Sequence, residues 1–150
     1  MSPILSEISK RGQFYTLLDN YDVIKEDINI SDNIVKVNAE FITSLSNYSF
    51  LKKVLSKLID KKFLHLETDC EFDYNLHQIK FKVRPKLVDY FECTGTLYCD
   101  NDYNILNHTI ELEFTERFQI IKKMFDERIK KNILKQIEGD VKSFKKLINQ

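Results

Sequence analysis

Residues 64–84 read LHLETDCEFDYNLHQIKFKVR, and the alternation in this stretch decides the fold. One side collects Leu64, Leu66, Thr68, Cys70, Phe72 and Tyr74; the other collects His65, Glu67, Asp69, Glu71 and Asp73. After a turn near Asn75-Leu76-His77, Ile79, Phe81 and Val83 alternate with Gln78, Lys80, Lys82 and Arg84. Successive side chains of a strand point to opposite faces, so each run is a strand with one dry and one wet side. An acidic wet row followed at once by a basic one suits an antiparallel pair, in which opposite charges face each other across the ladder.

Working outward, Ile34 to Phe41 alternates in the same way, with Val35, Val37, Ala39 and Phe41 against Lys36, Asn38 and Glu40. Ser31-Asp32-Asn33 before it is a turn, and Ile28 to Ile30 a short strand. Phe50, Leu51, Val54, Leu55, Leu58 and Ile59 then recur at helical spacing, which predicts a helix over Asn47–Lys61. Downstream, Phe91, Cys93, Gly95, Leu97 and Cys99 form one apolar row, and His108, Ile110, Leu112 and Phe114 another, separated by a turn over Asp100–Asn104. Gly95 removes a side chain from the middle of its row, where a sheet bends or another group approaches closely. From about Glu116 to Asn149, Ile121, Phe125, Ile129, Ile133, Ile137, Val141, Phe144 and Ile148 recur at three- or four-residue steps, a long helix with a bend or break expected at Gly139-Asp140. At the other end, Ser2 and Pro3 open a helix running to about Asn20, with Ser2 as cap and Gly12 interrupting it.

The 150 residues suit one domain with a real core. Acidic and basic residues balance at 23 each, so no global charge points to nucleic acid, and none is expected as a partner. From Glu116 onward ten Lys/Arg stand against five Asp/Glu, a net of +5 on a body of about −5. Cys70, Cys93 and Cys99 form no CxxC pair and read as reduced core thiols, which suits the cytoplasm or another reducing compartment. No secretory h-region or membrane-length apolar run is present.

A strand, a helix, a run of antiparallel strands and a long amphipathic closing helix, carried by Ile34–Phe41, Asn47–Lys61, the strands from Leu64 to Phe114 and Ile120–Ile148, together resemble the helix-grip fold of the START-like, Bet v 1-like superfamily. That resemblance implies an α+β protein whose curved antiparallel sheet wraps around the C-terminal helix. It makes 34–149 the core and 1–30 an N-terminal helical extension of a single domain. Members of the superfamily commonly hold a hydrophobic ligand between sheet and helix.

Inward strand residues and the helix stripe would line such a cavity: Phe72, Phe81, Val83, Cys93, Leu97, His108, Ile110, Leu112, Met124 and Phe125. The same residues would equally fill a packed core, since protein interiors leave few voids. His108 is the histidine on an apolar row, and a lone imidazole without a partner to set its tautomer reads as a satisfied buried or rim residue rather than as an acid–base catalyst. Scattered histidines and cysteines give no zinc spacing, and Glu67, Asp69, Glu71 and Asp73 read as cross-strand ion pairs. No GxGxxG, Walker-type loop, GxSxG or HExxH occurs, so neither a catalytic residue, a metal nor a cofactor is assigned. The expected function is non-catalytic binding or transfer of a lipid-like apolar molecule. The alternative is a ligand-free structural or assembly component that meets a protein partner, or an anionic membrane surface, through Lys130, Lys131 and Lys135 on the basic helix.

Overall fold

The computed structural model describes residues 3–19, 21–44, 63–86 and 91–149. Six strands form one antiparallel sheet in chain order: β1 (Asp22–Ser31), β2 (Ile34–Ser44), β3 (Phe63–Asp73), β4 (Gln78–Pro85), β5 (Phe91–Cys99) and β6 (Ile105–Phe114). Helix α1 (Pro3–Arg11) precedes the sheet and helix α2 (Gln119–Ile148) follows it. The sheet is curved and unclosed, with β1 and β6 at its edges, and α2 packs against it. This α+β arrangement is compatible with a helix grip. The helix expected over Asn47–Lys61 lies outside the described residues, as does Ser2.

The β3–β4 hairpin pairs in the register its alternation requires, with Cys70 opposite Phe81, Phe72 opposite Ile79 and Glu67 opposite Arg84. On the wet side Glu67 is 7% exposed, because Arg84 (2.5 Å) and Lys86 (2.9 Å) close over its carboxylate. Lys86 and then Arg84 hold that carboxyl below its usual range against the opposing effect of burial. Lys86 also reaches Glu40 at 3.0 Å, and His65 approaches Glu40 at 3.3 Å, so the outer face is tied across three strands.

Two elements are longer or shorter than their sequence suggests. The strand expected over Ile28–Ile30 runs instead over all of Asp22–Ser31, because β2 offers a ladder from Ile42 opposite Asp22 to Ile34 opposite Ser31, with one irregularity between Val23 and Lys25. As an edge strand β1 is exposed or half-buried throughout, so it never needed a clean apolar row. Helix α1 ends at Arg11 rather than near Asn20: Gly12 takes φ +63° and its N–H bonds Ile8 O at 2.9 Å, a left-handed stop that glycine adopts without strain. The chain then makes a 3₁₀ turn at Tyr15–Leu17.

Helix α2 has 30 residues, about 45 Å at 1.5 Å per residue, and passes through Gly139 without a break. Its buried face carries Ile121, Ile129, Ile133, Val141 and Phe144. The N-terminal segment belongs to the core: Ile4, Leu5, Ile8 and Phe14 are buried, and the Phe14 ring lies 5.1 Å from Phe144 and 5.4 Å from Phe72. Tyr103, in the β5–β6 turn, extends this aromatic row to 6.0 Å from Phe72. All three cysteines are free and buried, and no helix among the described residues is long and apolar enough to cross a membrane.

Candidate functional site

Between the dry face of the sheet and α2 lies a cavity of about 50 Å³. Helix α2 contributes Ile133, Gln136, Ile137 and Asp140, which at spacings of three and four residues share one face. Leu66, Thr68 and Cys70 of β3 and Phe81 and Val83 of β4 supply the floor, each set at the two-residue period of a strand. Phe41 of β2, Phe91 of β5 and the aromatic pair Tyr15 and Tyr21 complete the wall. Tyr21, Val83, Phe91, Gln136 and Ile137 are only half-buried and form the rim.

The polar groups of this cavity converge on one carboxyl. Tyr21 donates its hydroxyl to Asp140 Oδ2 at 2.5 Å, and Gln136 Nε2 donates to Tyr21 Oη at 3.0 Å. Asp140 is 4% exposed, and its Oδ1 is buried with no hydrogen-bond partner among the described residues. No Lys, Arg or His among the described residues pairs with it within ion-pair distance. Burial pushes the Asp140 carboxyl up to about 7, and the Tyr21 hydrogen bond offsets only part of that effect. Burial also raises Tyr15 well above the ordinary phenol range, with the nearby Cys70, Tyr21 and Asp140 adding to it.

Tyr15 is placed by a carboxylate on the edge strand. Glu26 accepts the N–H groups of Phe14 (3.3 Å), Tyr15 (2.7 Å) and Thr16 (3.3 Å), and the Thr16 hydroxyl at 2.8 Å. These bonds pin the 3₁₀ turn against β1, so that Tyr15 packs edge-on to Tyr21 (5.1 Å) and beside Phe41 (5.7 Å). Tyr21 in turn meets Phe41 edge-on at 4.7 Å. Three rings and one acid thus enclose a small space.

Of the residues expected to line a cavity, Phe81 and Val83 do so. Phe72, Cys93, Leu97, Ile110 and Leu112 are buried in the core, and Phe125 is half-buried against it, but none of them reaches the cavity. His108 and Met124, expected to point inward, are exposed. His108 lies opposite Leu97 in register, yet along β6 burial begins only at Ile110, so the first half of that edge strand is uncovered. Met124, 59% exposed, shares a solvent-facing flank of α2 with Ile120, beside the row of Ile121 and Ile129. The residues that the alternation did not reveal are Tyr15, Tyr21, Gln136 and Asp140. Asp140 had a signal: it stands seven residues after Ile133 and beside Val141, within the apolar stripe, where a charge is out of place.

A larger hollow of about 460 Å³ lies on the outer face across β1–β4. Its three acids (Asp27, Asp69, Glu71) and three lysines (Lys36, Lys80, Lys82) cancel, Lys36 meets Glu71 at 3.9 Å, and Asn38 donates to Asp69 at 2.6 Å. It is a solvated, self-compensated face, and we give it no chemistry. The basic face of α2 is also partly neutralised, since Lys130 pairs with Asp126 at 3.0 Å and reaches Glu127 at 4.0 Å.

No protein-family model matches this chain, and neither a curated protein nor a solved structure matches it.

Proposed function

We propose that this chain is a binding protein of helix-grip type whose ligand site is the cavity between β3–β5 and α2. The observation that carries this reading is Asp140: a buried carboxyl, one oxygen of which has no partner among the described residues, in an aromatic-walled space. Buried polar groups are normally satisfied, and an apolar cavity with a convergent polar group is the usual form of a small-molecule site. A lipid-sized occupant needs several hundred Å³. The cavity is about 50 Å³, so the ligand is read as a small molecule, or the small polar head of a larger one that leaves past Gln136 and Ile137.

The test is a ligand-observed NMR screen of small polar fragments against the native chain and an Ile137→Trp variant, whose indole fills the rim. Fragments that bind the native chain and not the variant support the site. Binding undiminished by the indole, or no binding at all, removes it.

A second reading, assembly with a protein partner, is favoured by Ile120 (58% exposed) and Met124 (59%), two large apolar side chains on one flank of α2. Under it, Met124→Lys would abolish a complex without lowering the melting temperature, and an intact complex would count against that surface.

A further inference from the structure

We propose that the occupant of the sheet–helix cavity is an organic cation, the ammonium head of an amine, held by Asp140 within the wall formed by Tyr15, Tyr21 and Phe41. This inference rests on the ligand-site reading above and specifies its chemistry.

Three features of the site converge on that class. A carboxylate taken out of water is costly unless a positive group or several donors compensate it. Asp140 has one donor, the Tyr21 hydroxyl, on Oδ2, and nothing on Oδ1 among the described residues. Among the described residues, the elements around it offer neutral groups: Tyr15 from the 3₁₀ turn, Tyr21 ahead of β1, Thr68 and Cys70 from β3, Gln136 from α2, and rings or aliphatic side chains from β2, β4 and β5. Among the described residues the site therefore offers no positive charge and has room for one.

The walls also select for a cation over a neutral donor. Tyr15, Tyr21 and Phe41 pack at 4.7–5.7 Å from one another, and Phe81 and Phe91 line the same space. Aromatic rings attract alkylammonium groups through their quadrupoles, most strongly when the cation is desolvated. Size sets the head group. A single water needs a cavity of roughly 10–15 Å³, so one of about 50 Å³ admits a head of only a few heavy atoms.

A probe of three heavy atoms binds no tighter than about millimolar, given the ceiling on affinity per atom. The experiment is accordingly a two-dimensional NMR titration of the full chain with ethylammonium, with ethanol as the neutral counterpart, at pH 8 and pH 6. Ethylammonium is expected to shift Tyr21 and Gln136 resonances, while ethanol at equal concentration does not. Because the cation binds the ionised carboxyl and Asp140 titrates at about 7, affinity should fall about tenfold from pH 8 to pH 6. Asp140→Asn, nearly isosteric, should remove ethylammonium binding. The pH comparison is made on the native chain, so it stands even if that variant folds poorly.

Equal binding of ethylammonium and ethanol, insensitive to pH, would overturn the cation inference and leave the small-ligand site standing. No shift from either probe, with no hit in the fragment screen, would overturn both.

Discussion

The Phe81 ring lies across the backbone of Gly95, its direct partner in the β4–β5 ladder. A Cβ placed on Gly95 would stand 2.5 Å from Phe81 Cε1 and 2.6 Å from Cζ, and 3.0 Å from the carbonyl oxygen of Thr109 on β6. The missing side chain in the β5 row is thus the seat of a ring that also lines the cavity. Gly95→Ala forces that ring to move and is expected to cost about 1–3 kcal/mol in urea denaturation, as overpacked cores do. Phe81→Leu in the same chain relieves the clash, so the double variant should be more stable than the sum of the single changes. Strict additivity would contradict the contact.

Asp140 makes stability depend on pH in a defined direction. Its folded value of about 7 lies above its ordinary 3.8, so between these values the folded chain binds the extra proton. Stability from this group is full below about pH 4, falls as pH rises to about 7, and stays low above it. Asp140→Asn removes the effect. The variant should gain on the native chain between pH 4 and pH 8 by on the order of 4 kcal/mol. A gap that is constant with pH in denaturation curves would refute the burial of an uncompensated carboxyl.

Glu26 is a positioning residue for Tyr15, through its bonds to three consecutive backbone N–H groups. Glu26→Ala leaves those donors to water and is expected to cost about 1–3 kcal/mol, with Glu26→Gln costing less because an acceptor remains. Near-ultraviolet circular dichroism should change with Glu26→Ala as the Tyr15–Tyr21–Phe41 cluster loosens. An unaltered aromatic spectrum would mean that the turn is held by its apolar contacts alone.

The cysteines should be chemically silent in the native protein. Burial pushes Cys70 and Cys93 up to about 12 and Cys99 to about 11, so almost no thiolate exists at pH 8. Ellman's reagent should label none of the three on the minutes timescale and all of them in denaturant. Fast native labelling of any one would show an opening that the packing does not provide.

Much of the fold was legible because period-2 alternation is local and strict: residues 64–84 gave β3, the turn and β4, with charges on the expected side. The same logic placed β5 and the apolar face of α2. It found only Ile28–Ile30 of β1, because an edge strand with one ladder partner needs no dry row. It carried His108 inward because alternation gives the side of the sheet, not how far a helix covers it. The candidate site was mostly illegible for a related reason. Tyr21 and Asp140 are 119 residues apart and meet only through packing. Asp140 was read with Gly139 as a bend or break in the closing helix, whereas its place in the stripe between Ile133 and Phe144 sets it against the sheet.

The account stands on the Asp140 carboxyl, and its most direct measurement is a carbon-13 NMR titration of aspartate carboxyls, with the Asp140 signal assigned by its loss in Asp140→Asn. A midpoint near 7 that falls when ethylammonium is added is the predicted result. A midpoint in the ordinary carboxylate range near 4, unmoved by ethylammonium, would contradict the buried, uncompensated acid and the ligand site built on it.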